Sequence, residues 1–134
     1  MTSAAAPLTS LLALTLPSTP DSARKARCHA RAVLNCPELS SYADDAEAIA
    51  DELAANAIRH ASAVTFGLQI LRMEYVAVAV IVTDPSPQLP VKLDPSGACE
   101  RGRGLLIVDA ISAAWGWRLR PGGKAVYAIL TREA

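Results

Sequence analysis

Three short segments carry residues whose types and spacing could do chemistry. The first is Glu52-Leu-Ala-Ala-Asn56-Ala-Ile-Arg59-His60. On a helix, residues 52, 56, 59 and 60 are separated by three and four positions and share one face. A carboxylate, a carboxamide, a guanidinium and an imidazole then line up beside the apolar stripe through Leu53 and Ala57. Alone, such a face is an ordinary solvated side of an amphipathic helix. An Asn in mid-helix runs against propensity, which leans toward function. The second segment, Thr83-Asp84-Pro-Ser86-Pro, ends an apolar run with a carboxylate and two hydroxyls. Strand ends that open into loops are frequent ligand sites, and a carboxylate there can accept a hydrogen bond from a ligand amine. The bland reading is Asp as a turn former before Pro. The third is Gly102-Arg103-Gly104-Leu105, placed where a helix should begin. The first amides of a helix have no internal partner and its dipole favours an anion, so a phosphate is the natural guest. No G-x-x-x-x-G-K-[ST] run exists, and Ile107 breaks the Rossmann pattern after Gly102 and Gly104.

The elements that must position these residues follow from periodicity. Leu11 to Leu16 is a short apolar run closed by Pro17 and reads as a strand at a sheet edge. Residues 1–10 read as a disordered lead, and 11–134 as one domain. A helix is expected over Ala23 to Leu34, after the start signal Pro20-Asp21-Ser22 and before Pro37. Tyr42 to Ala61 is the strongest helical stretch, because Ala46, Ile49, Ala50, Leu53 and Ala57 recur at helical spacing. Val64 to Leu71 alternates as a strand does. Tyr75 to Val82 is almost continuously apolar, as a central strand covered on both faces would be, with a turn at Arg72-Met73-Glu74. Four prolines and two glycines deny regular structure to the stretch from Asp84 to Arg103, an unusually long loop of the kind that is often functional. Gly104 should open a third helix. Trp115 to Leu119 and Lys124 to Thr131 flank Pro121-Gly122-Gly123 as a hairpin. The sum is an α+β two-layer sandwich, with helices on one face of a mixed, mostly antiparallel sheet.

Composition bounds the function. The chain has 134 residues, 51% of them hydrophobic, enough to bury a core in one domain. Thirteen basic and thirteen acidic side chains balance, so no general attraction to nucleic acid or an anionic membrane is expected. Cys28, Cys36 and Cys99 are odd in number and lack C-x-x-C spacing, which argues against a disulfide framework or a zinc site with His29. No apolar run is long enough to span a bilayer, and the start lacks the basic region of a secretory signal, so a cytoplasmic location is expected.

Taken together and in this order, the three segments resemble the N box and the two glycine boxes of the GHKL superfamily, whose domain is the Bergerat fold. The likeness is best to its anti-sigma-factor serine kinase branch, including small actinobacterial ATP-binding regulators, and covers about Leu11 to Leu130. It implies ATP and magnesium as ligands. By resemblance, Glu52 is the general base, Asn56 the magnesium ligand, and Asp84 the carboxylate that binds the adenine amine, with Ser86 beside it. Gly102, Arg103, Gly104 and Leu105 form the phosphate-binding turn, residues 88–103 the ATP lid, and Arg59-His60 the pair that commonly follows the N box. The implied activity is phosphorylation of a serine on an anti-sigma-factor antagonist, with a sigma factor as second partner and no direct nucleic-acid contact. The expected D-x-G-x-G is replaced by Asp84-Pro-Ser86-Pro-Gln88, which removes backbone freedom below the adenine. That departure favours an alternative, a nucleotide-dependent regulatory binding module without phosphoryl transfer. A detached sensor-kinase ATPase is a weaker alternative, since neither His29 nor His60 sits in a phosphoacceptor motif. The edge strand at Leu11 to Leu16 leaves homodimerisation open.

Overall fold

The computed structural model describes residues 9–59, 64–73, 77–85 and 101–131. Five strands and three helices follow in the order β1 (Thr9–Pro17), α1 (Asp21–Val33), α2 (Ala43–Arg59), β2 (Thr65–Met73), β3 (Ala77–Asp84), α3 (Arg101–Ile111), β4 (Ala114–Arg120) and β5 (Gly123–Thr131). The strands form one sheet in the order β1-β2-β3-β5-β4. Every described pairing is antiparallel, so the sheet is antiparallel throughout rather than mixed. β1 is an edge, as Pro17 predicts, and β4 is the other.

All three helices pack on one face. α2 lies centrally, in contact with α1, α3 and β3. Its stripe of Ala46, Ile49, Ala50, Leu53 and Ala57 is buried, and the small alanines let the neighbouring elements approach closely. Ile49 and Leu53 meet Leu68 and Ile70 of β2, Val78, Val80 and Val82 of β3, Leu130 of β5, and Leu105 and Val108 of α3 in a single core. The α1–α2 seam adds Ala26 and Ala30, with Arg27 pairing Asp51 at 2.9 Å and Arg31 pairing Asp44 at 2.6 Å and also Glu47.

Three expectations shift. β3 is central, but helices cover only one of its faces. On the other face Ala79 is shielded by its cross-strand neighbours Leu71 and Ile129, so an apolar side chain is accommodated there without a second layer. Arg72 and Met73 extend β2 instead of turning, because their partners Val78 and Ala77 continue the ladder. α3 starts at Arg101, not Gly104, which puts Gly102 and Gly104 in its first turn. Glycine inside a helix costs about 0.5–1 kcal/mol relative to alanine. Burial of Leu105 and Val108 offsets that cost.

The β4–β5 hairpin closes through Pro121 and Gly122, with Arg120 opposite Gly123. Gly122 has φ of +82°, the left-handed value that position i+2 of a type II turn demands after a proline.

Candidate functional site

The helical spacing of the first segment is realised. Glu52, Asn56 and Arg59 lie on the last turns of α2, with Glu52 and Asn56 half-buried and Arg59 exposed. Arg59 Nη2 donates to Asn56 Oδ1 at 2.8 Å. Glu52 has its carboxyl pKa pushed above the ordinary value of 4.5, chiefly by burial, then by the negative charge of Asp51, with Arg59 opposing. A partly buried carboxyl with a raised pKa is a candidate for proton transfer. His60 lies outside the described residues, as does Ser86.

Asp84 is the last residue of β3 and is buried. The pleat explains why. Asp84 shares the inward face with Val82 and Val80, and its cross-strand partner is Lys124, the inward residue of β5 at the head of Val126, Ala128 and Leu130. Lys124 Nζ donates to Asp84 Oδ1 at 3.0 Å, with side-chain exposures of 5% and 4%. Gly123 allows this hairpin to lie against Asp84, since a Cβ there would sit 2.1 Å from the Asp84 carbonyl oxygen. Lys124 was not singled out by the sequence reading. The signal was present, because a lysine in the inward phase of an alternating strand needs a buried partner.

Topology brings the two segments to one end of the molecule. α2 ends at Arg59 and β2 begins at Thr65, so only residues 60–64 intervene. Gly67, near the start of β2, pairs with Thr83. The end of α2 and the end of β3 thus lie at the same end of the sheet. An open cleft of about 360 Å³ lies at this end, lined by Thr15, Thr65, Gly67, Thr83, Asp84 and Lys124 among others, but not by Glu52, Asn56 or Arg59 of α2. α3 packs against α2 and presents Gly102, Arg103 and Gly104 at its N-terminal turn. Leu105 follows one residue later, its side chain in the core at 2% exposure.

A model of the histidine kinase-like ATPase domain matches residues 16–130. The chain belongs to the histidine kinase-like ATPase family. The match runs from the end of β1 into β5 and includes all three segments. Among solved structures, the fold is similar to that of the RsbU and RsbW domains of Rv1364c from Mycobacterium tuberculosis, at a TM-score of 0.68 and 20% identity. That likeness covers 92% of this chain and 33% of the other, so the domain spans about a third of that protein's length. No curated protein matches.

A divalent cation is the family's usual companion to ATP. Asn56 supplies a carboxamide oxygen, the hard donor that magnesium accepts. Among the described residues no cluster of three or more His, Cys, Asp or Glu side chains exists. Magnesium commonly keeps waters and takes one or two protein oxygens plus substrate phosphates, and Asn56 fits that pattern. No helix among the described residues is long and apolar enough to cross a membrane.

Proposed function

We propose that this domain binds Mg-ATP and transfers its γ-phosphoryl group to a serine hydroxyl on a regulatory protein, as an anti-sigma-factor-type kinase. The observation that carries the reading is Glu52, a half-buried carboxyl with a raised pKa, one helical turn from Asn56 in a domain of the ATPase family. In this reading Asp84 receives the adenine amine, and Asn56 contributes an oxygen to the magnesium. Arg59 flanks Asn56, and His60 and Ser86 belong to the same two segments. Bound magnesium supplies charge neutralisation across the phosphates. The amides at the start of α3, at Gly102 and Arg103, face the anion with the positive end of the helix dipole. Glu52 takes the proton of the serine hydroxyl as its oxygen bonds to the γ-phosphorus and the bond to the β-phosphate oxygen breaks, releasing ADP. Such transfer depends on positioning and charge neutralisation more than on covalent chemistry by the protein. The partners in this reading are a sigma factor and an anti-sigma-factor antagonist.

One observation favours a second reading, a nucleotide-dependent binding module. Both oxygens assigned to the ligand are engaged by cations of the chain itself, Asn56 Oδ1 by Arg59 and Asp84 Oδ1 by Lys124. A site held in this way exchanges internal contacts for ligand contacts, which weakens net affinity. The deciding experiment is incubation with γ-labelled ATP and antagonist proteins encoded near the gene. Serine-bound label that vanishes in Glu52→Gln supports the kinase. ATP binding by calorimetry with no label on any antagonist supports the module.

A further inference from the structure

A lysine buried against the acid that reads the base is the least ordinary feature of this site. Asp84 is the expected acceptor for an adenine amine, yet its Oδ1 already receives the Lys124 ammonium at 3.0 Å, with both side chains at 5% exposure or less. The register Asp84↔Lys124 fixes the two groups side by side on the helix-facing side of the sheet, and both residues also border the open cleft at this end, whose other lining includes Thr15, Gly67 and Thr83. Gly123 and Gly122 hold the lysine there. Gly122 makes the turn, and the missing Cβ of Gly123 lets β5 close on Asp84. Lysine carries three donors and no acceptor, while an ionised aspartate only accepts. The floor of the site is therefore an acceptor and a donor in adjacent positions, rather than an acceptor alone.

We infer that Lys124 is a base-reading residue, donating to the ring nitrogen N1 of adenine while Asp84 accepts from the neighbouring exocyclic amine. The inference rests on the nucleotide-binding reading above. The complementarity is specific. Adenine presents a donor at position 6 and an acceptor at N1, in the same order as Asp84 and Lys124. Guanine in that pose presents an acceptor to Asp84 and a donor to Lys124, so both contacts oppose it. Asp84 alone opposes guanine at one contact, and the pair opposes it at two. A purely structural salt bridge accounts for the burial but makes no demand on the ring nitrogen of a ligand.

The test uses 1-deaza-ATP, which keeps the amine and phosphates but replaces N1 by a C–H. In the parent protein with magnesium, calorimetry should give 1-deaza-ATP at least about tenfold weaker binding than ATP, the scale of a lost hydrogen bond to a charged group. In Lys124→Met the two ligands should bind within about twofold of each other. Should that variant fail to fold once the Lys124 ammonium is removed from Asp84, Asp84→Leu/Lys124→Met removes both charges and should likewise bind the two ligands alike, each more weakly than the parent binds ATP. Equal binding of ATP and 1-deaza-ATP by the parent overturns the inference and leaves ATP binding standing. A preference for ATP that survives in Lys124→Met, or in the double variant if Lys124→Met does not fold, overturns it too. Failure of the parent to bind ATP at millimolar concentration overturns the nucleotide reading and this inference together.

Discussion

Removing either member of the Asp84–Lys124 pair should destabilise the domain, and removing both should not. The two groups are 3.0 Å apart, and their side chains are 4% and 5% exposed. Neither has bulk water to take over when its partner is lost. Breaking a buried pair by truncating one side costs about 3–5 kcal/mol, whereas replacing both members by apolar residues of similar size is often neutral or stabilising. Domains of this kind are stable by about 5–15 kcal/mol in total, so a single loss is a large share. Asp84→Leu and Lys124→Met should each lower the unfolding free energy by about 3 kcal/mol or more. The double variant should fall far short of the sum, which gives a coupling energy of about 3 kcal/mol or more. Urea unfolding of the four proteins under one condition measures the cycle. The reasoning fails if the single variants each cost under about 0.5 kcal/mol, the range of ordinary surface substitutions, or if the two costs simply add. It also follows that an Asp84 variant weakened in ATP binding must be shown folded before the loss is read as a lost contact.

Four further outcomes are expected. Glu52→Gln should keep ATP binding while lowering phosphoryl transfer by about 10²–10⁴-fold, and loss of both would remove Glu52 from the role of base. Because the folded-state pKa of Glu52 lies above 4.5, the folded chain holds that proton longer than the unfolded one. Its stabilising contribution is present in acid and is lost as pH rises through the folded value, so Glu52→Gln should gain stability over the parent at pH 7 but not at pH 4; thermal unfolding at both pH values checks the sign. Asn56→Ala should weaken ATP binding with magnesium present and change it little with the metal chelated, whereas an equal loss under both conditions would assign Asn56 to fold or nucleotide rather than metal. Gly123→Ala places a Cβ 2.1 Å from the Asp84 carbonyl oxygen. The hairpin must shift, so a melting point lowered by several degrees is expected, and an unchanged one would show that β5 does not approach β3 so closely.

The α+β layering, the edge position of β1, the helical face carrying Glu52, Asn56 and Arg59, and the β4–β5 turn were legible in the sequence. Each is written in local chemistry. Ala46, Ile49, Ala50, Leu53 and Ala57 repeat at the helical period, Pro17 closes an edge strand, and Pro121-Gly122 encodes a turn with one left-handed residue. Short-range steric and hydrophobic patterns survive folding because neighbours in sequence stay neighbours in space. The adjacency of β3 and β5, which are separated by a helix and a strand, is not written locally, and it alone sets Lys124 against Asp84 across 40 positions of sequence. Nor could periodicity tell that Ala79 is buried by cross-strand neighbours rather than by a second layer, since both give the same apolar run. The start of α3 at Arg101 was equally hidden. Glycines disfavour a helix locally, and only the docking of Leu105 and Val108 in a core assembled from distant elements reverses that preference. Sequence determined which chemical groups are available and which faces they share, because those depend on covalent order. Tertiary structure decided which of them are desolvated together, and desolvation sets the strength of a charge and the pKa of a carboxyl.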